Sequence, residues 1–203
     1  MPLPEWEPTE TLLPSETNRG EKNAAAIHTA VGFALSQWEH LESVLARLFQ
    51  LLSESPSFAA CRGYGMVESS RTRAEMLRAA REVFFQRHDS SDTENITAVE
   101  SLIAAYENAL QYRNNIAHGM ATAFPLKGGQ LSGYFLCSPS YATRKVKAQT
   151  LKGLYLLGAK YWYRSADIRH YADWFTQLLG EAMRLIQVIN AKYSVLDPAQ
   201  FLS

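Results

Sequence analysis

The sequence predicts a mainly α-helical protein, a bundle of about four long helices with a small antiparallel β insertion before the last one. Three observations carry that expectation. Apolar residues recur every three or four positions through most of the chain. The period breaks between about residues 120 and 163, where apolar runs flank Gly128-Gly129. The chain has 203 residues, 47% of them hydrophobic, which is enough for one core and below the length at which chains usually divide.

Residues 1–20 are rich in Pro and Glu and read as an extended arm, tied down only by Trp6, Leu12 and Leu13. Residues 21–203 are expected to form a single helical domain. The first helix, over about 22–53, follows from Ile27, Val31, Leu35, Trp38, Leu41, Leu45, Leu48 and Leu52, all three or four apart. Glu42 lies on or beside that stripe, so it is a candidate partner for a buried Arg. Residues 53–65 contain Ser, Pro and Gly and read as a connection. Met76, Leu77, Ala80, Val83 and Phe84 give a second helix over about 68–88 with an Arg-rich outer face. Asp92 or Thr93 suits the cap of a third, over about 94–118, whose stripe is Val99, Leu102, Ile103, Tyr106 and Leu110. Its next steps land on Arg113 and Ala117, and Gly119 is placed to end it in left-handed geometry. Runs at 120–124 and 131–137 predict a hairpin, and 155–163 a further strand, so the β insertion covers about 120–163. From Ser165, a candidate N-cap, the helical period resumes through Ile189.

Twenty basic and twenty acidic residues cancel, so net charge supplies no argument for a polyanionic partner. The distribution is uneven: Arg62 to Arg87 holds six Arg against three Glu, and Arg144 to Arg169 seven Lys or Arg against Asp167. Two distant cysteines, Cys61 and Cys137, and five scattered His give no metal spacing and no disulfide framework. No cofactor is expected. The start of the chain lacks a basic-then-apolar leader, and no run reaches the roughly 18 apolar residues of a membrane span. A cytoplasmic protein without a membrane partner is the expectation.

Phosphate-binding Gly loops, Gly-x-Ser-x-Gly and His-Glu-x-x-His are all missing, which leaves Arg113-Asn114-Asn115-Ile116-Ala117-His118 as the segment with chemical potential. Arg followed by His with four to six residues between them occurs three times. Arg81 to His88 leaves six between and Arg164 to His170 five. The pair Arg113 and His118 differs in three respects. A polar amide, Asn114, follows the Arg; the Arg extends an apolar stripe; and the His falls in a last helical turn, where a cation complements the helix dipole.

That segment resembles the signature of HEPN domains, in which an Arg, a following polar residue and a His share one helix. The long helix carrying Trp38-Glu39-His40-Leu41-Glu42 and the closing helix from Ser165 fit the same architecture. The resemblance spans about residues 22–192 and implies an elaborated member, since the β insertion exceeds the minimal bundle. It implies a metal-independent RNA endonuclease, of toxin or defence type, acting as a homodimer. Arg113, His118 and Asn114 would be catalytic, with Glu42 and Asn115 supporting. RNA contacts would come from Arg71, Arg73, Arg78, Arg144, Lys145 and Lys147, and an inhibitor or regulatory protein is a further expected partner. Positions five apart on a helix point about 140° away from each other. Arg113 and His118 therefore meet at one phosphate only if the helix ends or distorts between them or each subunit supplies one.

Two other readings stand beside this one. In the first, the bundle is a non-catalytic interaction or regulatory module, with Arg113 paired to Glu42 or Glu107 and His118 capping a helix. In the second, Trp38, Tyr106, Trp162, Tyr163 and Trp174 hold a small ligand.

Overall fold

The computed structural model describes residues 14–15, 17–125, 130–139, 149–151, 154–156 and 159–196. The arm expected over residues 1–20 lies outside the described residues up to residue 13. The protein is mainly helical. Its elements run α1 (Ala24–Leu52), α2 (Ala59–Gly65), α3 (Ser70–His88), α4 (Thr93–His118), β1 (Met120–Pro125), β2 (Leu131–Cys137), β3 (Gln149–Leu151), β4 (Leu154–Leu156), β5 (Trp162–Tyr163) and α5 (Ser165–Tyr193). Four long helices and an antiparallel insertion before the last are as the periodicity predicts. Among the described residues, no helix is long and apolar enough to cross a membrane.

The helix ends follow local chemistry. Asn23 accepts from the Ala26 amide at the start of α1. At its other end Glu54 adopts a left-handed φ of 50°. Its amide reaches Leu51 O while that of Ser55 reaches Gln50 O, the paired bonds of a Schellman motif. Ser69 caps α3 through the Thr72 amide. Asp92 caps α4, its carboxylate accepting from the Asn95 amide and its carbonyl from that of Ile96. The start of α5 departs from expectation. Arg164, not Ser165, is the cap, because its carbonyl takes the first helical bond from Ile168. Asp167 reaches back to the Arg164 amide at 2.8 Å, as an acid does in a capping box. Ser165 instead gives both its amide and its hydroxyl to the Glu21 carboxylate.

The residues form two compact units, and α1, α4 and α5 each contribute to both. The first comprises Trp38–Leu110 and 175–196. Its core is centred on Trp38, stacked on Tyr106 at 5.2 Å and meeting the edge of Phe175 at 5.1 Å. Leu41, Leu45, Leu48, Leu77, Phe84, Leu102, Ile103, Leu178 and Leu185 are all fully buried there. Each contributes about 1.5–3 kcal/mol by leaving water. The short helix α2 lies inside the stretch expected to be a plain connection; Cys61 and Tyr64, three apart, are its buried residues. Seven residues give too short a pattern for periodicity to register.

The second unit comprises 14–15, 17–37 and, of the described residues, those within Gln111–Trp174. Its part of α1 buries Ile27, Ala30 and Ala34, while Val31 and Leu35, expected in the stripe, are half-buried. The sheet is antiparallel in the order β1-β2-β5, with a bulge between Ala123 and Pro125. The strands β3 and β4 pair separately as a hairpin. Glu21 forms a bridge with Tyr134 of β2. Glycine is required at that crossing: a Cβ on Gly20 would stand 2.3 Å from Tyr134 O, and Gly133 has a φ of 95° with Gly20 packed against it.

Candidate functional site

The segment singled out by the sequence closes α4. The helix continues without interruption through His118 and passes into β1 at Met120. The expected left-handed ending at Gly119 is not found, since Gly133 is the glycine with positive φ among the described residues. Glycine is needed at 119 for a different reason. A Cβ there would lie 2.6 Å from Leu136 Cγ and 2.9 Å from Asn115 O, so the close packing of β2 against the helix end excludes any side chain.

Unbroken helix fixes the angular relations. Arg113 and His118 point about 140° apart, whereas Asn114 and His118, four apart, share a face within about 40°. Both Asn114 and His118 are exposed, and Arg113 is half-buried. Arg113 Nη1 donates to Asn114 Oδ1 at 3.1 Å, which draws the guanidinium toward the Asn114 side. His118 makes no hydrogen bond or ion pair among the described residues. The arrangement presents a planar cation, a side-chain amide and an imidazole at one helix end. A phosphoryl oxygen and a transferring proton are the groups such donors serve.

The last turn is held by two tyrosines, Tyr161, which the sequence did not single out, and Tyr163, which it offered only as part of an aromatic ligand cage. Tyr161 Oη donates to Asn115 O at 2.7 Å, satisfying one of the carbonyls that a helix end leaves without amide partners. Asn115 Nδ2 donates to Tyr163 Oη at 3.1 Å. Burial pushes the Tyr161 hydroxyl up to about 12, with the Cys137 thiol adding to the shift. Burial also raises Tyr163, against hydrogen bonds from Asn115 and Tyr171 that pull it down. Both therefore stay protonated near neutrality. The alternation Tyr161-Trp162-Tyr163 was the available signal, because side chains two apart on a strand share a face.

Glu42 is buried, 6% exposed, as its place on the stripe suggests. Its partner is Arg73, at 2.9 Å, together with Tyr106 Oη at 2.7 Å and Ser70 Oγ at 3.5 Å. Burial and the Glu42 charge both push the Tyr106 hydroxyl far above its ordinary range, so it remains a donor to that carboxylate. Glu107, the other acid proposed for Arg113, receives a bidentate contact from Arg78, at 2.6 and 3.2 Å. Arg78 also bonds Glu75 and Glu100, and Arg81 bonds Glu100. Of the arginines expected to meet RNA on α3, Arg73 and Arg78 are thus engaged by carboxylates, while Arg71 is exposed. Arg144, Lys145 and Lys147 lie outside the described residues.

Trp38 and Tyr106 are core residues, 1% and 0% exposed, in contact with each other. Trp162, Tyr163 and Trp174 are buried within the other unit. Both cysteines are buried and free. Among the described residues no three His, Cys, Asp or Glu side chains cluster in a way that would hold a metal ion. No family model matches the chain, and no curated protein or solved structure matches it either.

Proposed function

We propose that the chain is a HEPN-like metal-independent RNA endonuclease, of toxin or defence type, with Arg113, Asn114 and His118 acting at a phosphodiester. The observation that carries this reading is the end of α4, where an exposed imidazole shares a face with Asn114 and the Arg113 guanidinium bonds to that same amide. In the reaction the 2′-hydroxyl oxygen attacks the adjacent phosphorus and the bond to the 5′-oxygen breaks. The products are a 2′,3′-cyclic phosphate and a 5′-hydroxyl. One proton leaves the 2′-hydroxyl and one reaches the departing oxygen. Imidazole is the side chain whose ordinary titration lies nearest neutrality, which suits His118 to that transfer. The fixed fork of Arg113 suits the charge that builds on the phosphoryl oxygens.

With α4 continuous, the Cα–Cβ directions of Arg113 and His118 diverge by about 140°, and a homodimer in which each subunit supplies one of the pair would bring the two to a single phosphate. The test is a gel assay on mixed cellular RNA in EDTA, wild type beside His118→Ala. Cleavage by the wild type alone supports the reading. Mixing Arg113→Ala with His118→Ala chains, each inactive alone, should restore part of the activity if the site is shared between subunits. Intact RNA in every lane, from folded and dimeric protein, rejects the reading.

The second reading is a non-catalytic HEPN-type bundle acting as an interaction or regulatory module. The engagement of Arg73 and Arg78 by Glu42 and Glu107 favours it, because it removes two of the cations expected to meet RNA.

A further inference from the structure

We infer that Tyr161 and Tyr163 are positioning residues for the site at the end of α4. The inference rests on the nuclease reading and identifies what keeps that site in register. Tyr112 and Asn115 bracket Arg113 and Asn114, and both are gripped from outside the helix. Asn115 is held at two atoms, its carbonyl by Tyr161 Oη at 2.7 Å and its amide by Tyr163 Oη at 3.1 Å. The two phenol rings stack on each other at 4.7 Å with 16° between planes. Tyr163 meets the edge of Tyr171 in α5 at 5.2 Å, and Tyr171 in turn stacks on Tyr112 at 4.7 Å. A continuous ladder of tyrosines thus runs from the residue before β5 to the residue before Arg113.

The hydroxyls are the part of this ladder that fixes the last turn. Stacking alone tolerates sliding, because ring pairs of similar energy occur over a range of offsets. Two hydrogen bonds to one residue define both its rotation about the helix axis and its height. Asn115 is one residue from Asn114 and three from His118, so a shift there moves both exposed groups relative to a bound phosphodiester. Displacement of about 1 Å is enough to cost on the order of 100-fold in rate.

The experiment compares Tyr161→Phe and Tyr163→Phe with wild type, and with Tyr134→Phe as a hydroxyl lost elsewhere in the same sheet. Turnover of a short single-stranded RNA is measured in EDTA, per folded molecule, with melting temperature recorded for each. The expected result is a fall in kcat of about 10- to 100-fold at unchanged KM for the first two variants, and wild-type values for the third. A purely structural role would lower the melting temperature and leave kcat per folded molecule unchanged, which overturns the inference. Unchanged kcat with a raised KM overturns it as well, since the tyrosines would then serve binding. In both cases wild-type cleavage leaves the nuclease reading standing. Uncut RNA in the wild-type lane removes that reading and this inference together.

Discussion

Around Glu42, a buried carboxylate is met by Arg73, Tyr106 and Ser70, whereas the last turn of α4 turns Asn114 and His118 to solvent and spends its interior bonds on Asn115. The first region turns its charges inward on one another. Arg73, Tyr106 and Ser70 meet the Glu42 carboxylate, although the buried Tyr64 hydroxyl has no hydrogen-bond partner among the described residues. The Arg78, Arg81, Glu100 and Glu107 network extends the pairing along α3 and α4. The second holds its backbone firmly and leaves reactive groups outward. A buried ion pair is retained because losing one partner strands the other charge. An exposed imidazole with no partner adds nothing comparable to folding, which is why chemistry is sought there and not at Glu42.

The sharpest test of that contrast is His118→Ala. It should reduce RNA cleavage in EDTA by about 10²–10⁴-fold while changing unfolding free energy by less than about 0.5 kcal/mol. Gel assay and urea denaturation read the two effects. A variant that still cuts would erase the distinction between the regions. Glu42→Ala should do the reverse, costing about 3 kcal/mol of stability by leaving the buried Tyr106 hydroxyl without its acceptor and Arg73 without its counter-charge. Cleavage per folded molecule would be unchanged. Between the two falls Gly119→Ala, where the new methyl meets Leu136 and Asn115 O. A loss of about 1–3 kcal/mol is expected from overpacking, read by denaturation, with activity falling more steeply than the folded fraction.

The smallest expected effect is a pH dependence in the first unit. Burial pushes the Asp92 carboxyl up, but hydrogen bonds from Tyr193, Asn95 and Lys192 outweigh it and hold the group well below the usual carboxylate range. A folded value below the unfolded one of about 3.9 means that the stabilisation is present above that pH and lost as pH falls through the folded value. Denaturation midpoints should therefore drop from about pH 4 downward, and Asp92→Asn should flatten that slope. A wild-type midpoint indifferent to pH in that window would show that the Asp92 cluster adds nothing.

Much of the fold was legible because helices are written locally. The long helices from Ala24, Ser70, Thr93 and Ser165 follow from apolar spacing, and the 120–124 and 131–137 runs became β1 and β2. The failures are equally local in kind. Val31 and Leu35 outrank Ala30 and Ala34 in hydrophobicity, yet the alanines are the buried pair. Seven residues of α2 were too few to show a period. Ser165 resembled a cap by type, but the chain turns one residue earlier, at Arg164.

What the sequence by itself determined was the helical frame, a place for Glu42 on or beside the apolar stripe, and the position of Arg113, Asn114 and His118 on a helix end. What only the tertiary structure decided was partnership. Glu42 finds Tyr106, 64 residues away, and Asn115 finds Tyr161 and Tyr163, 46 and 48 residues away. Periodicity reports which face of a helix turns inward, since that depends on neighbours three and four positions along. It does not report which distant side chain arrives there, because that depends on how separate elements pack.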